Sequence, residues 1–314
     1  MLRKPTEALR KKILIDGENM SFEESLILCA DKTNEYLKEC YRDGDPALEL
    51  IFNAEKYSLL SGGKRIRAFL VFEFCRILGG TESQAASFAC AVEMIHAYSL
   101  INDDLPCMDD DDYRRGKLTN HKVYGEAIAV LAGDALLTKA FEILAGNEAV
   151  PYEHRVKAAF LLARFAGDNG MVGGQVLDIK AEESKDSTLA ELRKIHSLKT
   201  GAMIKAAALL GCYASGKNPD AAFLEDVTEY AENIGMAFQI VDDVLDVVGD
   251  SSLLGKNVGS DADNSKLTYM SFYTVDEAMN LAKKLTDEAI NAISKYKNTE
   301  NLISLAEYLL QRKK

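Results

Sequence analysis

Val92-Glu93-Met94-Ile95-His96-Ala97-Tyr98-Ser99-Leu100-Ile101-Asn102-Asp103-Asp104-Leu105-Pro106-Cys107-Met108-Asp109 is the stretch that decides the fold. Its first ten residues are mostly apolar and hold neither glycine nor proline, so they read as a largely buried helix. That helix ends on aspartates. A second stretch of the same kind lies far along the chain. There Met236-Ala237-Phe238-Gln239-Ile240-Val241 runs into Asp242-Asp243-Val244-Leu245-Asp246. Carboxylates crowded this closely repel one another and resist desolvation unless a cation compensates. A hard divalent ion is the simplest compensation, and Mg²⁺ is usually held by a few carboxylates plus substrate phosphates. The sequence therefore predicts two facing helices that hold Mg²⁺ and a phosphorylated substrate.

Spacing refines this. A helix turns about 100° per residue, so positions i and i+4 share a face. Asp242 and Asp246 point the same way, with Gln239 one turn earlier. Asp103 and Asp109 are six apart, which is off-face in a regular helix. Pro106 lies between them and breaks regular helix, so a distortion after Asp104 is expected to swing Asp109 back toward Asp103. Taken alone, Asp109 to Asp112 would read as a solvated acidic face. The apolar approach to it reverses that reading.

Outward from these clusters the pattern stays helical. The periodicity predicts helices over Phe22 to Tyr41, Ala47 to Leu59, Ile66 to Leu78, Ser83 to Leu105, Gly125 to Ala145, Glu153 to Asp168, Leu189 to Ser197, Ala202 to Ala214, Ala221 to Val248, Val275 to Tyr296 and Ile303 to Gln311. Gly62-Gly63, Gly79-Gly80, Gly146-Asn147, Gly216 to Pro219 and Gly249 to Ser260 punctuate them. No alternating strand pattern, repeat or linker stands out. One all-α domain over residues 21–314 is expected, after an extension over residues 1–20. The helices Gly125 to Ala145 and Ala202 to Ala214 are apolar nearly all round, which suits a bundle centre or a subunit interface.

Composition sets bounds. The 314 residues are 47% apolar and 27% charged, which are globular values. A net charge of −12 argues against nucleic acid, whose backbone needs a basic face. No apolar run is long enough to span a bilayer. Six scattered cysteines without a CxxC pair read as reduced thiols of a cytoplasmic protein. Four histidines without metal spacing argue against zinc.

Basic residues suggest the phosphate side. Ser61-Gly62-Gly63-Lys64-Arg65-Ile66-Arg67 is a glycine-rich turn opening a helix, with Lys64 and Arg67 three apart on one face. Helix N-termini attract phosphate and arginine adds bidentate contacts. Arg114-Arg115 follows the aspartates, and Lys256 and Lys266 lie in the loop after the second cluster. Gly211-Cys212-Tyr213-Ala214-Ser215-Gly216-Lys217-Asn218 imitates a P-loop. It lacks the final Ser/Thr and follows a helix rather than a strand, so it reads as a helix C-terminus.

Together these motifs resemble the trans-isoprenyl diphosphate synthases. Gly62 to Arg67, His96 to Pro106, Met108 to Asp112 with Arg114 to Lys117, Gly173-Gly174-Gln175 with Asp178, Lys199-Thr200-Gly201, Phe238 to Asp243 and Gly259-Ser260-Asp261 occur in family order. The gap between Asp104 and Asp109 is similar to that of bacterial-type farnesyl and plant-type geranylgeranyl diphosphate synthases. The resemblance implies an isoprenoid-synthase helical bundle around a central cavity. It implies three Mg²⁺ per site, two on Asp103, Asp104 and Asp109 and one on Asp242 with Asp243 and Asp246. It gives isopentenyl diphosphate to Lys64, Arg67, His96 and Arg115, and the allylic diphosphate to Arg114, Lys199, Lys256 and Lys266. Lys199, Thr200 and Gln239 would line the reacting carbon. A homodimer is implied as well.

The implied reaction is condensation of isopentenyl diphosphate with dimethylallyl and geranyl diphosphates to farnesyl diphosphate. Geranylgeranyl diphosphate synthesis is the alternative. A class I terpene cyclase would not need Lys64, Arg67 and His96, and a catalytically dead regulatory subunit would not need both acidic clusters. Tyr98 and Ser99 are the expected chain-length residues. Tyr98 lies five residues before Asp103, about 7.5 Å along the axis, where its ring would floor the pocket. Asn102, Leu118 and Leu267 depart from common family residues, which bears on substrate preference rather than on ligands.

Overall fold

The computed structural model describes residues 20–41, 45–182, 187–248 and 267–312. The chain folds as two compact units. The first runs through Ala159 and includes Leu210–Lys217; the second comprises Phe160–Leu209 and Asn218 onward. Both are α-helical, apart from one two-stranded hairpin in the first.

In the first unit, α1 (Phe22–Glu39) starts at a capping box in which Ser21 and Glu24 satisfy each other's backbone N–H. A 3-10 turn (Pro46–Leu48), α2 (Glu49–Leu59) and α3 (Ile66–Ile77) follow. The helix that carries the first aspartates is α4 (Glu82–Asp103), opened by a second capping box at Thr81 and Gln84. Every residue from Ala85 to Ile95 along it is buried. Such a helix is covered on all sides, and α1, α3 and α6 (Glu126–Ala145) supply the cover. Strands β1 (Tyr113–Arg114) and β2 (Lys117–Leu118) and the short α5 (Asn120–Tyr124) lie between α4 and α6. At Asn102 the carboxamide sits against Gly133 of α6, where an added Cβ would meet its Oδ1 at 2.7 Å.

The second unit holds α8 (Met171–Glu182), α9 (Leu189–His196), a π-helical turn (Ser197–Gly201), the long α11 (Ala221–Val248), a 3-10 turn (Tyr269–Ser271), α12 (Val275–Ile293) and α13 (Glu300–Gln311). Helix α12 opens with the Thr274–Glu277 capping box and packs along α11. Leu192, Ala237, Ile240, Val241, Val244, Tyr269, Ala278 and Ala282 form its core beside the second acidic cluster. The remaining helices are α7 (Tyr152–Ala166) and α10 (Ala202–Ala214).

Three features differ from the sequence expectation. Met171–Glu182 is helical although Gly173-Gly174 sits in its first turn. Tyr113–Leu118 forms a hairpin too short to show alternation, and Asn120–Tyr124 adds a single helical turn. The P-loop-like stretch is the end of α10, closed by Gly216 at φ +69°. No described helix is long and apolar enough to cross a membrane.

Candidate active site

The geometry of the first cluster follows from a broken helix end. The N–H of Asp109 donates to the Asp103 carbonyl at 2.9 Å, and that of Asp110 to Leu105 at 3.1 Å. Asp110 takes φ +50° to close the turn. The chain thus doubles back after Pro106 and sets Asp109 beside Asp103, as the spacing requires. Exposed Cys107 rides on the outside of this turn. Asp104 is buried, and Arg114 Nε and Nη2 grip its Oδ1 at 2.6 and 2.5 Å. Burial raises the Asp104 pKa and Arg114 opposes that shift. Asp112 pairs with Lys122 at 2.6 Å, so part of the acidic run serves the surface.

The basic side grows from two tight turns. Gly62 and Gly63 have φ +92° and +111°, and Arg65 adopts φ +52° just before α3. Arg65 is buried, pairs with Glu93 at 2.9 Å, and also donates to Asn34 and the Leu59 carbonyl. The other oxygen of Glu93 accepts the Ala68 N–H at 3.2 Å. This buried pair fixes the turn that presents Lys64 and Arg67. In the β1–β2 hairpin Arg115 and Gly116 both have positive φ, as a two-residue I′ turn demands. That turn lays the Arg115 guanidinium on the Gly62 carbonyl and over Gly63, where a Cβ would meet it at 2.8 Å. Arg67 keeps a buried Nε with no hydrogen-bond partner. His96 is held well below its usual pKa by burial, and next by Arg67 and Arg115. Burial also lowers Arg67 and Arg115, and each is lowered further by a neighbouring cation. Glu93 opposes the shift of both arginines.

In the second unit the π-helical turn places Lys199 and Thr200. Lys199 Nζ sits 2.5 Å from Asp178 of α8. Gly174 lets that turn approach, because a Cβ there would lie 2.2 Å from the Lys199 nitrogen. The Thr200 hydroxyl donates to Gln239 Oε1 at 2.8 Å, and Gln239 Nε2 faces Asp242 Oδ2 at 3.4 Å. Asp242 meets Arg312, the residue after α13, at 2.7 Å. Asp243 is buried and accepts the Tyr269 N–H at 2.7 Å. Asp246 lies one turn further along α11. Lys256, Lys266 and Gly259 to Asp261 lie outside the described residues, as does nearly all of the extension over residues 1–20.

Tyr98 is buried on α4, and burial, then the Asp103 charge, raise its phenol pKa. Ser99 turns its hydroxyl onto the His96 carbonyl at 2.9 Å.

The aspartates supply the hard oxygen donors that Mg²⁺ takes. Among the described residues no three carboxylates, histidines or cysteines close around one point as a ready cage. The fit is with an ion that takes a few carboxylates and completes its shell with phosphate oxygens. Sequence reasoning did not single out Arg65, Glu93, Tyr269 or Arg312. Glu93 carried a signal, as the lone charge inside an apolar helical run. Arg312 carried none.

The polyprenyl synthetase family model matches residues 49–309. A geranylgeranyl diphosphate synthase of Cyanophora paradoxa is 45% identical over 86% of this chain and 89% of its own length. A dimethylallyltranstransferase of Fischerella ambigua is 43% identical over 90% of this chain and 81% of its own. The solved apo structure of an FPP/GFPP synthase from Zymomonas mobilis superposes with a TM-score of 0.82 at 33% identity, covering 92% of this chain and 98% of that one. The geranylgeranyl pyrophosphate synthetase of Pyrococcus horikoshii gives 0.83 at 30% identity, covering 93% and 99%. The chain belongs to the polyprenyl synthetase family. It has the all-α isoprenoid synthase fold and is a trans-prenyltransferase.

Proposed function

We propose that this chain condenses isopentenyl diphosphate head to tail with allylic diphosphates and releases geranylgeranyl diphosphate. The observation that carries the condensation is the basic turn, where the buried Arg67 Nε has no hydrogen-bond partner and Arg115 lies over Gly63, in the same unit as the turn that brings Asp109 to Asp103. A diphosphate suits the first turn, and a divalent cation suits the second. Asp103, Asp104 and Asp109, with Asp242, Asp243 and Asp246, are the residues that would hold Mg²⁺. Arg114 holds Asp104, the Tyr269 N–H holds Asp243 and Arg312 holds Asp242, so each of these carboxylates is set in place by a neighbour. When bound, the metal's chemistry is charge neutralisation on the leaving diphosphate.

The chain's own residues do the rest. Lys64, Arg67, His96 and Arg115 bind isopentenyl diphosphate, and Lys199 takes the allylic diphosphate from its hold on Asp178. The Thr200 hydroxyl donates its hydrogen bond to Gln239 Oε1, which leaves the hydroxyl lone pairs to face the allylic cation. The isopentenyl double bond attacks that cation, and the proton then lost passes to the departing diphosphate. Residues 21–314 act as one prenyltransferase domain, and the family match spans both units. The unpaired cysteines suit a reducing, cytoplasmic setting.

The twenty-carbon length rests on relatives. Proteins named geranylgeranyl synthases, from Cyanophora paradoxa and Catharanthus roseus, are 45% and 42% identical to this chain. A buried Tyr98, five residues before Asp103 on α4, favours a second reading, in which its ring stops growth at fifteen carbons. Mass spectrometry of products from isopentenyl diphosphate with dimethylallyl, geranyl and farnesyl diphosphates decides. Consumption of farnesyl diphosphate to a C20 product sustains the first reading, and a stop at C15 sustains the second. No condensation at all overturns both.

We further propose a homodimer. Exposed Leu48 and Leu50, with Leu131 of α6, line one apolar groove on the first unit. Such patches mark association surfaces.

A further inference from the structure

Arg312 is an unusual cation. Its side chain is 6% exposed, although it directly follows a helix end. One nitrogen donates to the Phe238 carbonyl at 2.7 Å and pairs with Asp242 Oδ1 at 2.7 Å. The guanidinium carbon lies 3.8 Å from the centre of the Phe238 ring. Its Nε is buried without a hydrogen-bond partner. A guanidinium this enclosed is tolerated only with a charge partner and a π face. Both come from α11, within one turn of the helix. Asp242 also faces Gln239, which accepts from Thr200. Arg312 thus grips the carboxylate at one end of a polar chain that leads to the residues lining the reacting carbon.

A divalent cation on the same carboxylate would stand within a few ångströms of the guanidinium, and the two positive charges would repel strongly. We infer that Arg312 is a latch: it neutralises Asp242 in the metal-free protein, and Mg²⁺–diphosphate displaces it, releasing the last turn of α13. This rests on the reading of Asp242 as a metal-diphosphate residue. By reciprocity, whatever Mg²⁺–diphosphate costs the latch, the latch costs Mg²⁺–diphosphate.

Two measurements on the full chain, with Mg²⁺ and inorganic pyrophosphate as probe, test the latch. Hydrogen exchange of wild-type protein should show the amides of Leu309 to Arg312 exchanging faster on loading, by about tenfold for an opened helix end. Calorimetry on Arg312→Gln should show half-saturating Mg²⁺ falling about three- to tenfold, with Arg312→Lys in between. Unchanged or slower exchange while calorimetry records bound Mg²⁺–pyrophosphate overturns the latch. Weaker Mg²⁺ binding by Arg312→Gln overturns it too. Asp242→Ala separates the two levels. If it binds Mg²⁺–pyrophosphate as wild type does, the reading of Asp242 fails and takes the latch with it. If it binds worse, that reading stands and Arg312 alone is judged.

Discussion

At the scale of single residues the aspartates do not form one class. Asp103→Ala removes a carboxylate from a crowded turn, so turnover should fall by orders of magnitude while the melting temperature holds. Asp242→Ala removes a carboxylate that balances Arg312, so turnover should fall and the protein should also lose about 1 kcal/mol, because Asp242 is partly exposed. Assays paired with thermal denaturation separate the two, and near-normal turnover in either variant would sink the metal assignment. Lys64→Ala should raise the KM for isopentenyl diphosphate more than that for the allylic substrate. The opposite split would exchange the two sites. Histidine gives a pH expectation. Burial lowers His196 from 6.5 to about 4, so it folds neutral. Between those values the unfolded chain binds the extra proton, so stability falls as pH drops from about 6.5 toward about 4. Denaturant titrations at stepped pH should show that loss, and His196→Gln should reduce it, leaving the part that buried His96 contributes. The aspartates were legible in sequence because charges interrupting an apolar helix need a reason. Arg312 was not, because nothing around it in the sequence says which residue it meets.

At the scale of elements, glycine explains what the sequence concealed. Gly173-Gly174 reads locally as a stop, and α8 runs through it. The second glycine is there for the close passage of the π-helical turn. Gly174→Ala should therefore push Lys199 and Thr200 out of line, cutting kcat by tenfold or more and lowering stability by a few kcal/mol. An active, equally stable Gly174→Ala protein would show that the turn yields freely. The positions of the longer helices were readable from apolar period and caps. The hairpin was not, since two-residue strands carry no period, though Arg115-Gly116 had the composition of a turn.

At the scale of the whole molecule, the proposed homodimer would cover the apolar groove lined by Leu48, Leu50 and Leu131. Sedimentation at micromolar concentration should give a dimer, and a stable active monomer would refute it. Intact molecules also carry a built-in tally of their own folding. Of the six thiols, Cys107 alone is exposed, on the turn that joins Asp104 to Asp109. A folded molecule should take up one maleimide quickly and a denatured one six. The mass of the singly alkylated species, followed as ligands are added, then becomes a clock for how tightly that turn is closed.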